Sequence, residues 1–202
     1  MPRAEREQLI LDIAGRRFAR DGYHAAAMDE IARQAGVSKP MLYAYFESKE
    51  GLYLAYIERT GQELLERLQR TFSERQAELR LHARVNEFFC FVEEHRDGWR
   101  VLFTEASASR PVAEQVAELR GRIAGALRRM IERSVAGPPD AALGPAGGEV
   151  LAHAIVGAGE SLANWWLDHP EVPRERMTGY YAQVIRGSLA ALAATAGPPL
   201  TA

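Results

Sequence analysis

The chain has 202 residues, of which 47% are hydrophobic, and its formal net charge is −2. This composition can fill a core without disulfides or structural metal, and the single cysteine, Cys90, excludes an intrachain disulfide framework or zinc cluster. The charged N-terminal segment lacks an apolar signal core and no apolar run approaches the ~20 residues of a membrane span, so we expect a cytoplasmic protein without a membrane partner.

Apolar residues recur at helical spacing along the whole chain and nowhere alternate long enough to indicate a strand, which predicts an all-α fold. The first helix carries the apolar stripe Ile10, Ile13, Ala14 and Phe18. It is expected to end near Gly22, because glycine can adopt the left-handed conformation that closes helices.

Two short helices are predicted next. The first spans about Met28–Ala35 and is closed by Gly36. Ser38 is a good N-cap for the second, and Pro40 falls in its first turn, where the missing N–H group costs nothing. This helix is expected to end near Tyr45.

The remainder of the chain is also predicted to be helical, and Ser48 is the N-cap of the next helix. The glycine- and proline-rich stretch Gly137–Gly148 has no apolar periodicity and is predicted to be a mobile loop. The predicted helices span about Lys49–Thr71, Ser73–His95, Asp97–Ser107, Val112–Val135, Glu149–Asp168 and Pro173–Thr195.

Residues 18–54 indicate a tri-helical unit. The connection between its second and third helices is short enough to force a steep crossing, and Ile31, Val37, Leu42 and Phe46 fill the space between them. A cation, tyrosine hydroxyls and apolar groups share the outward face of the third helix, a combination that can enter a DNA major groove. That face carries Lys39, Pro40, Met41, Tyr43, Ala44 and Tyr45.

The same segment resembles the signature of the tetracycline-repressor (TetR) family. The matching positions are Gly22-Tyr23, Glu30-Ile31-Ala32, Ala35-Gly36-Val37-Ser38, Leu42-Tyr43, Tyr45-Phe46, Ser48-Lys49 and Leu52. The resemblance implies an N-terminal three-helix helix-turn-helix DNA-binding domain, residues 1–48, followed by a C-terminal helical effector-binding and dimerisation domain, residues 49–202.

The resemblance also implies which residues contact double-stranded DNA. Those that would face base edges are Lys39, Pro40, Met41 and Ala44. Tyr43, Tyr45 and Lys49 would hold phosphates. Ser38, which begins the recognition helix, completes the implied DNA-binding set. The chain departs from the family at Ala27, where Ser or Thr usually caps the second helix, so a cap worth ~1 kcal/mol and a phosphate contact are absent.

The C-terminal domain contains aromatic residues that could line a cavity for a small apolar or aromatic ligand. The candidate effector-binding residues are Phe88, Phe89, Phe91, His95, Trp99, Phe103, Asn164 and Trp165. The alternative interpretation is a well-filled helical core, because aromatic residues at helical spacing are more often core than pocket. Both interpretations stay open.

The last two predicted helices carry small and apolar stripes that suit close helix packing. In TetR-like proteins these helices form a four-helix interface between two subunits, so the resemblance implies a homodimer. The implied dimerisation residues are Ala154, Gly157, Ala158, Ser161, Ile185, Ser188, Leu189 and Leu192.

No catalytic arrangement is evident in the sequence. The histidines lack metal-ligand spacing, Cys90 has no neighbouring base, and no nucleophile elbow or phosphate-binding loop occurs. We therefore expect no catalytic residues, no metal, no cofactor and no enzymatic activity.

The function that these observations favour is a DNA-binding transcriptional regulator, acting as a repressor that a small-molecule effector releases from a palindromic operator. Two alternatives stay open. One is a DNA-binding dimer without an effector, and the other is a helical ligand carrier or enzyme with a vestigial DNA-binding unit. The effector, the operator and the choice between repression and activation are left open by the sequence.

Overall fold

The computed structural model describes residues 1–70, 77–96, 98–100, 109–134 and 146–195. In these ranges every regular element is a helix and no strand occurs, which confirms the all-α prediction. No helix in the same ranges is long and apolar enough to span a membrane. The helices are α1 (Arg3–Ala25), α2 (Met28–Gln34), α3 (Lys39–Phe46), α4 (Lys49–Gln69), α5 (Ala77–Glu94), α6 (Arg110–Ser134), α7 (Gly147–Leu167) and α8 (Arg174–Thr195).

Helix α1 breaks at Gly22, where the sequence predicts its end, and resumes to Ala25. The glycine has φ 77° and ψ 161°, so it adopts a positive φ but not the left-handed helical cap that we expected. This region of backbone conformation is essentially restricted to glycine. The Ala26 N–H donates to the Gly22 carbonyl at 3.1 Å and closes the last turn.

Two predicted segments fall mainly outside the described residues. Of the predicted helix Asp97–Ser107, residues 98–100 are described and helical. The predicted loop Gly137–Gly148 is described only at its end. There the prediction was wrong, because Gly147 and Gly148 belong to α7. The Val150 N–H donates to the Ala146 carbonyl at 2.9 Å, so the first helical turn closes across them.

The chain forms two compact units. The first comprises residues Met1–Leu64 and Glu94–Leu119. Its core joins α1, α2, α3, the first part of α4 and the start of α6, and the apolar stripe predicted on α1 lies within it. The most deeply buried members are Ile10, Ala14, Phe18, Ile31, Leu42, Leu52, Tyr53, Ile57, Val112 and Val116.

The second unit comprises Leu65–Glu93 and Arg120–Ala202. In its described part, aromatic side chains of α5, α7 and α8 pack edge to face. The ring centroids of Phe89 and Trp166 lie 5.4 Å apart, and those of Phe89 and Tyr181 lie 6.1 Å apart. An ion pair between Arg120 and Glu160, at 2.7 Å, joins α6 to α7.

Candidate nucleic-acid interface

The turn between α2 and α3 is closed by two backbone hydrogen bonds. The Val37 N–H donates to the Ala32 carbonyl at 3.0 Å, and the Gly36 N–H donates to the Arg33 carbonyl at 3.2 Å. Gly36 has φ 64°, the left-handed conformation that this pattern of helix termination requires. The glycine predicted to close α2 therefore does so, and it sets the direction in which α3 leaves the turn.

Helix α3 is oriented by one capped end and one buried face. The Met41 N–H donates to Ser38 Oγ at 3.3 Å, which confirms Ser38 as the N-cap. Leu42 is fully buried and Phe46 is 6% exposed, so the opposite face points to solvent. That face brings together the exposed residues Ser38, Lys39, Pro40, Met41, Tyr43 and Ala44, with Tyr45 partly buried at its edge.

Lys39 forms an ion pair with α2. Its Nζ lies 2.7 Å from Asp29 Oδ1. The hydrogen bond to that carboxylate raises the pKa of the Lys39 ammonium, which therefore stays charged. Both side chains are exposed, and surface ion pairs contribute little to stability. Lys39 can therefore exchange Asp29 for a DNA acceptor at low energetic cost.

Lys49, at the start of α4, has a structural contact that the sequence analysis missed. Its Nζ donates to the His24 carbonyl at 2.8 Å and lies 5.0 Å from the centre of the Tyr23 ring. Burial lowers the pKa of the Lys49 ammonium. The side chain thus satisfies a carbonyl at the end of α1, and the phosphate contact expected of it remains a prediction.

The start of α4 is also tied to the start of α6. Ser109 Oγ donates to Glu50 Oε1 at 2.6 Å and accepts a longer hydrogen bond, 3.4 Å, from the Val112 N–H. One hydroxyl therefore caps α6 and holds a carboxylate of α4. Ser109 and Glu50 are 59 positions apart in the sequence, so no local sequence pattern could have predicted their hydrogen bond.

The N-terminal end of α2 has the uncapped geometry that the sequence predicts. Ala27 occupies the N-cap with φ −95° and ψ 127°, an extended conformation suited to a capping residue, but it makes no side-chain hydrogen bond. Its carbonyl accepts from the N–H groups of Glu30 and Ile31, each at 3.2 Å. The backbone is therefore arranged for a cap that alanine cannot supply.

The described effector-binding candidates are divided between the two units. Phe88, Phe89 and Phe91 lie in the second unit, where Phe88 and Phe89 pack with Trp166 and Tyr181, two aromatics that the sequence analysis did not select. The guanidinium of Arg67 lies over the ring of Phe91. We call Phe88, Phe89, Trp166 and Tyr181 the aromatic cluster.

The other predicted effector residues are not members of the aromatic cluster. His95 and Trp99 belong to the first unit, where His95 Nε2 is 3.3 Å from a Glu63 oxygen and Trp99 is buried. Asn164 and Trp165 occupy the exposed side of α7, and the Trp165 ring stacks on His169 at 4.0 Å. Phe103 lies outside the described residues.

The predicted dimerisation residues divide between surface and interior. Small residues of α7 lie on its surface, with Ala154, Gly157 and Ser161 exposed and Ala158 partly buried. On α8, Ile185 is buried in its own unit, Ser188 and Leu189 are partly buried, and the side chain of Leu192 is outside the described part. Among the described side chains of these two helices, the large apolar ones that remain exposed are Val150, Trp165, Tyr180 and Val184.

Two family models match the chain. Residues 10–56 match the model described as bacterial regulatory proteins of the TetR family, and residues 78–185 match a tetracycline-repressor-like C-terminal domain. The transcriptional activator FasR of Mycolicibacterium smegmatis is 37% identical over 174 residues, which are 84% of this chain and 75% of that protein. The chain belongs to the TetR family of transcriptional regulators.

Solved structures support the same conclusion. A TetR-family regulator from Streptomyces coelicolor matches with a TM-score of 0.76 at 28% identity, over 96% of this chain and 85% of that chain. FadR from Bacillus halodurans, described as a fatty acid degradation regulator, matches with a TM-score of 0.75 at 17% identity, over 92% and 96% of the two chains. This second likeness shows the fold alone.

These matches confirm the resemblance drawn from the N-terminal signature and extend family membership to the C-terminal helices. The protein is a TetR-family helix-turn-helix transcriptional regulator. TetR regulators bind DNA, form dimers and take effector ligands, so the general kinds of partner are those that the sequence predicts.

Proposed function

We propose that this TetR regulator binds a palindromic operator as a homodimer, with one α3 helix in the major groove of each half-site. The observation that carries this proposal is the exposed face of α3, which buried Leu42 and Phe46 hold outward. Its cation, hydroxyls and apolar groups suit base edges and phosphates. Two such helices related by a two-fold axis would need a separation of ~34–36 Å, or somewhat more, to dock.

The dimer is proposed to form through the exposed faces of α7 and α8. Val150 and Trp165 are 65% and 46% exposed, and Tyr180 and Val184 are 50% and 53% exposed. Large apolar side chains that stay exposed along a pair of helices favour burial against a partner. The proposed stripe on α8 is displaced by one residue from the sequence expectation, to Val184, because Ile185 already packs inside its own unit.

The effector is proposed to bind in the second unit, beside the aromatic cluster. Phe88 is the partly buried member of that cluster and therefore the one that a ligand can reach. Fatty acyl compounds are the first class to test, since a Bacillus subtilis relative that is 32% identical over 66 residues, 33% of this chain, is described as a fatty acid metabolism regulator protein. Release of DNA requires that the ligand bind the DNA-free state more tightly than the DNA-bound state.

Repression is the proposed outcome of operator binding, because a bound dimer excludes polymerase from any overlapping promoter. FasR of Mycolicibacterium smegmatis is named an activator. A reporter gene placed behind the operator is therefore needed to determine whether binding represses or activates transcription. We propose no catalytic role, since the relatives are regulators. A cytoplasmic location follows from the proposal, because the operator lies on the chromosome.

The decisive test is selection from a random duplex pool with purified protein at one moderate salt concentration. We expect enrichment of an inverted repeat, which would then serve to screen fatty acids and acyl thioesters for release. Enrichment without release by any effector would favour the effector-free DNA binder. A folded dimer that retains no duplex, even after refolding from denaturant to remove bound ligand, would contradict the proposal and favour a ligand carrier.

A further inference from the structure

Two arginines in the first two turns of α1 lie beside the recognition helix. The Arg3 guanidinium carbon is 5.1 Å from the centre of the Tyr45 ring, and Arg6 Nη1 is 3.5 Å from the Tyr45 hydroxyl. Arg6 Nη2 also donates to the Met1 carbonyl at 3.0 Å. Both arginines precede the family signature, which begins at Gly22, so the motif did not indicate them.

These two arginines differ from their neighbours in charge compensation. In the described part of the chain, neither Arg3 nor Arg6 has an acidic side chain within ion-pair distance. By contrast, most of the other Lys and Arg side chains on α1–α4 in the first unit form an ion pair with an Asp or Glu. The paired cations are Arg17, Arg20, Arg33, Lys39 and Arg59.

We propose that Arg3 and Arg6 bind the phosphate backbone of operator DNA beside the bases that α3 reads. The inference rests on the proposed function, because it needs α3 in the groove. A guanidinium can bind phosphate with two parallel hydrogen bonds and stays charged at any physiological pH. The 3.5 Å contact of Arg6 with Tyr45 is long for a hydrogen bond, so a phosphate can replace it.

Tyr45 has a positioning role in this proposal. It is partly buried at the edge of the α3 face, and its ring and hydroxyl each contact one of the arginines. The two guanidinium groups are therefore held on the same side of the unit as the residues that face the groove. This arrangement places cationic groups next to Tyr45, and the family resemblance implies that Tyr45 contacts a DNA phosphate.

The test is the salt dependence of operator affinity for full-length Arg3→Ala, Arg6→Ala and the double variant. Each lost phosphate contact lowers the slope of log K against log salt by ~0.9, so each single variant of a dimer should lose about 1.8. Arg16→Ala is the matched control, because Arg16 is an exposed arginine farther along α1. Arg3→Lys and Arg6→Lys should keep most of the slope, and thermal unfolding should verify that every variant folds.

Three outcomes would overturn the inference. A double variant with the slope of Arg16→Ala would show that the arginines do not contact phosphate. A changed base preference beside the operator would assign them to base recognition instead. Wild-type protein that binds no operator would end both this inference and the proposed function, whereas the first two outcomes leave the proposed function standing.

Discussion

At the scale of single residues, the N-terminal end of α2 shows how one substitution weakens a helix without changing its path. The backbone of Ala27 already has the extended conformation of an N-cap residue. Only the side-chain oxygen that would accept from the first turn is missing. Because the acidic Asp29 and Glu30 lie in the first turn, the helix dipole is partly compensated, but no side-chain oxygen caps the turn.

We expect Ala27→Ser to raise the free energy of unfolding by about 0.5–2 kcal/mol, because serine can accept a hydrogen bond in this geometry. Urea denaturation monitored by circular dichroism would measure the change. Ala27→Val is the control, since valine adds bulk but no acceptor. If serine stabilises the protein no more than valine does, the end of α2 is not limited by its cap.

At the scale of elements, Tyr181 connects three helices of the second unit. It is 5% exposed on α8, its hydroxyl donates to the Ile155 carbonyl of α7, and its ring packs against Phe89 of α5. A Cβ at Gly159 would lie 2.9 Å from the Tyr181 hydroxyl, so the absence of a side chain there allows α7 to approach. Burial raises the pKa of the Tyr181 phenol far above its ordinary value of 10.0.

This raised pKa predicts an alkaline limit to stability. The unfolded chain ionises Tyr181 at its ordinary pKa of 10.0, while the folded chain resists ionisation. The contribution of the buried phenol is therefore complete below about pH 10 and is lost as the pH rises above that value. Tyr181→Phe should remove this part of the alkaline decline, at a cost near neutral pH of about 1 kcal/mol for the lost hydrogen bond.

Denaturant unfolding at a series of pH values between about 8 and 11.5 would measure the alkaline decline in the free energy of unfolding. Tyr180→Phe is the control, because it removes an exposed phenol from the adjacent position of the same helix. An alkaline decline that is the same in wild type and Tyr181→Phe would argue against the buried phenol as its source.

At the scale of the whole molecule, the proposed regulator depends on a second copy of the chain. Gly157 lies on the exposed side of α7, and a Cβ at that position would meet nothing within 4 Å in the same chain. The first atom of a larger side chain therefore meets no described residue of the same chain. The larger side chain would obstruct two helices that approach each other closely across the proposed dimer interface.

We expect Gly157→Leu to weaken the dimer by roughly 5- to 150-fold, since overpacking a close contact costs ~1–3 kcal/mol. Sedimentation equilibrium over a range of protein concentrations would give the dissociation constant. Gly121→Leu is a matched control on α6, because Gly121 is also exposed and mid-helix with open space around it. An unchanged dimer in Gly157→Leu would place the interface elsewhere.

Features that depend on local physics were predictable from the order of the amino acids. Helices follow from apolar periodicity, and their starts and ends follow from residues such as Ser38 and Gly36, whose capping chemistry acts within a few positions. The recognition face was predictable for the same reason: once Leu42 and Phe46 are assigned to the core, the opposite side of a short helix must face solvent.

Three-dimensional packing determined which of two adjacent residues is buried and which residues far apart in the sequence contact each other. Trp165 is 46% exposed, whereas Trp166 is 1% exposed and donates its indole N–H to the Val172 carbonyl at 2.7 Å. Successive residues of a helix differ by about 100° around its axis, so only packing against neighbouring helices determines which of two apolar neighbours is buried. The contacts of Lys49 with α1, and of Arg6 with Tyr45, depend on the same three-dimensional packing.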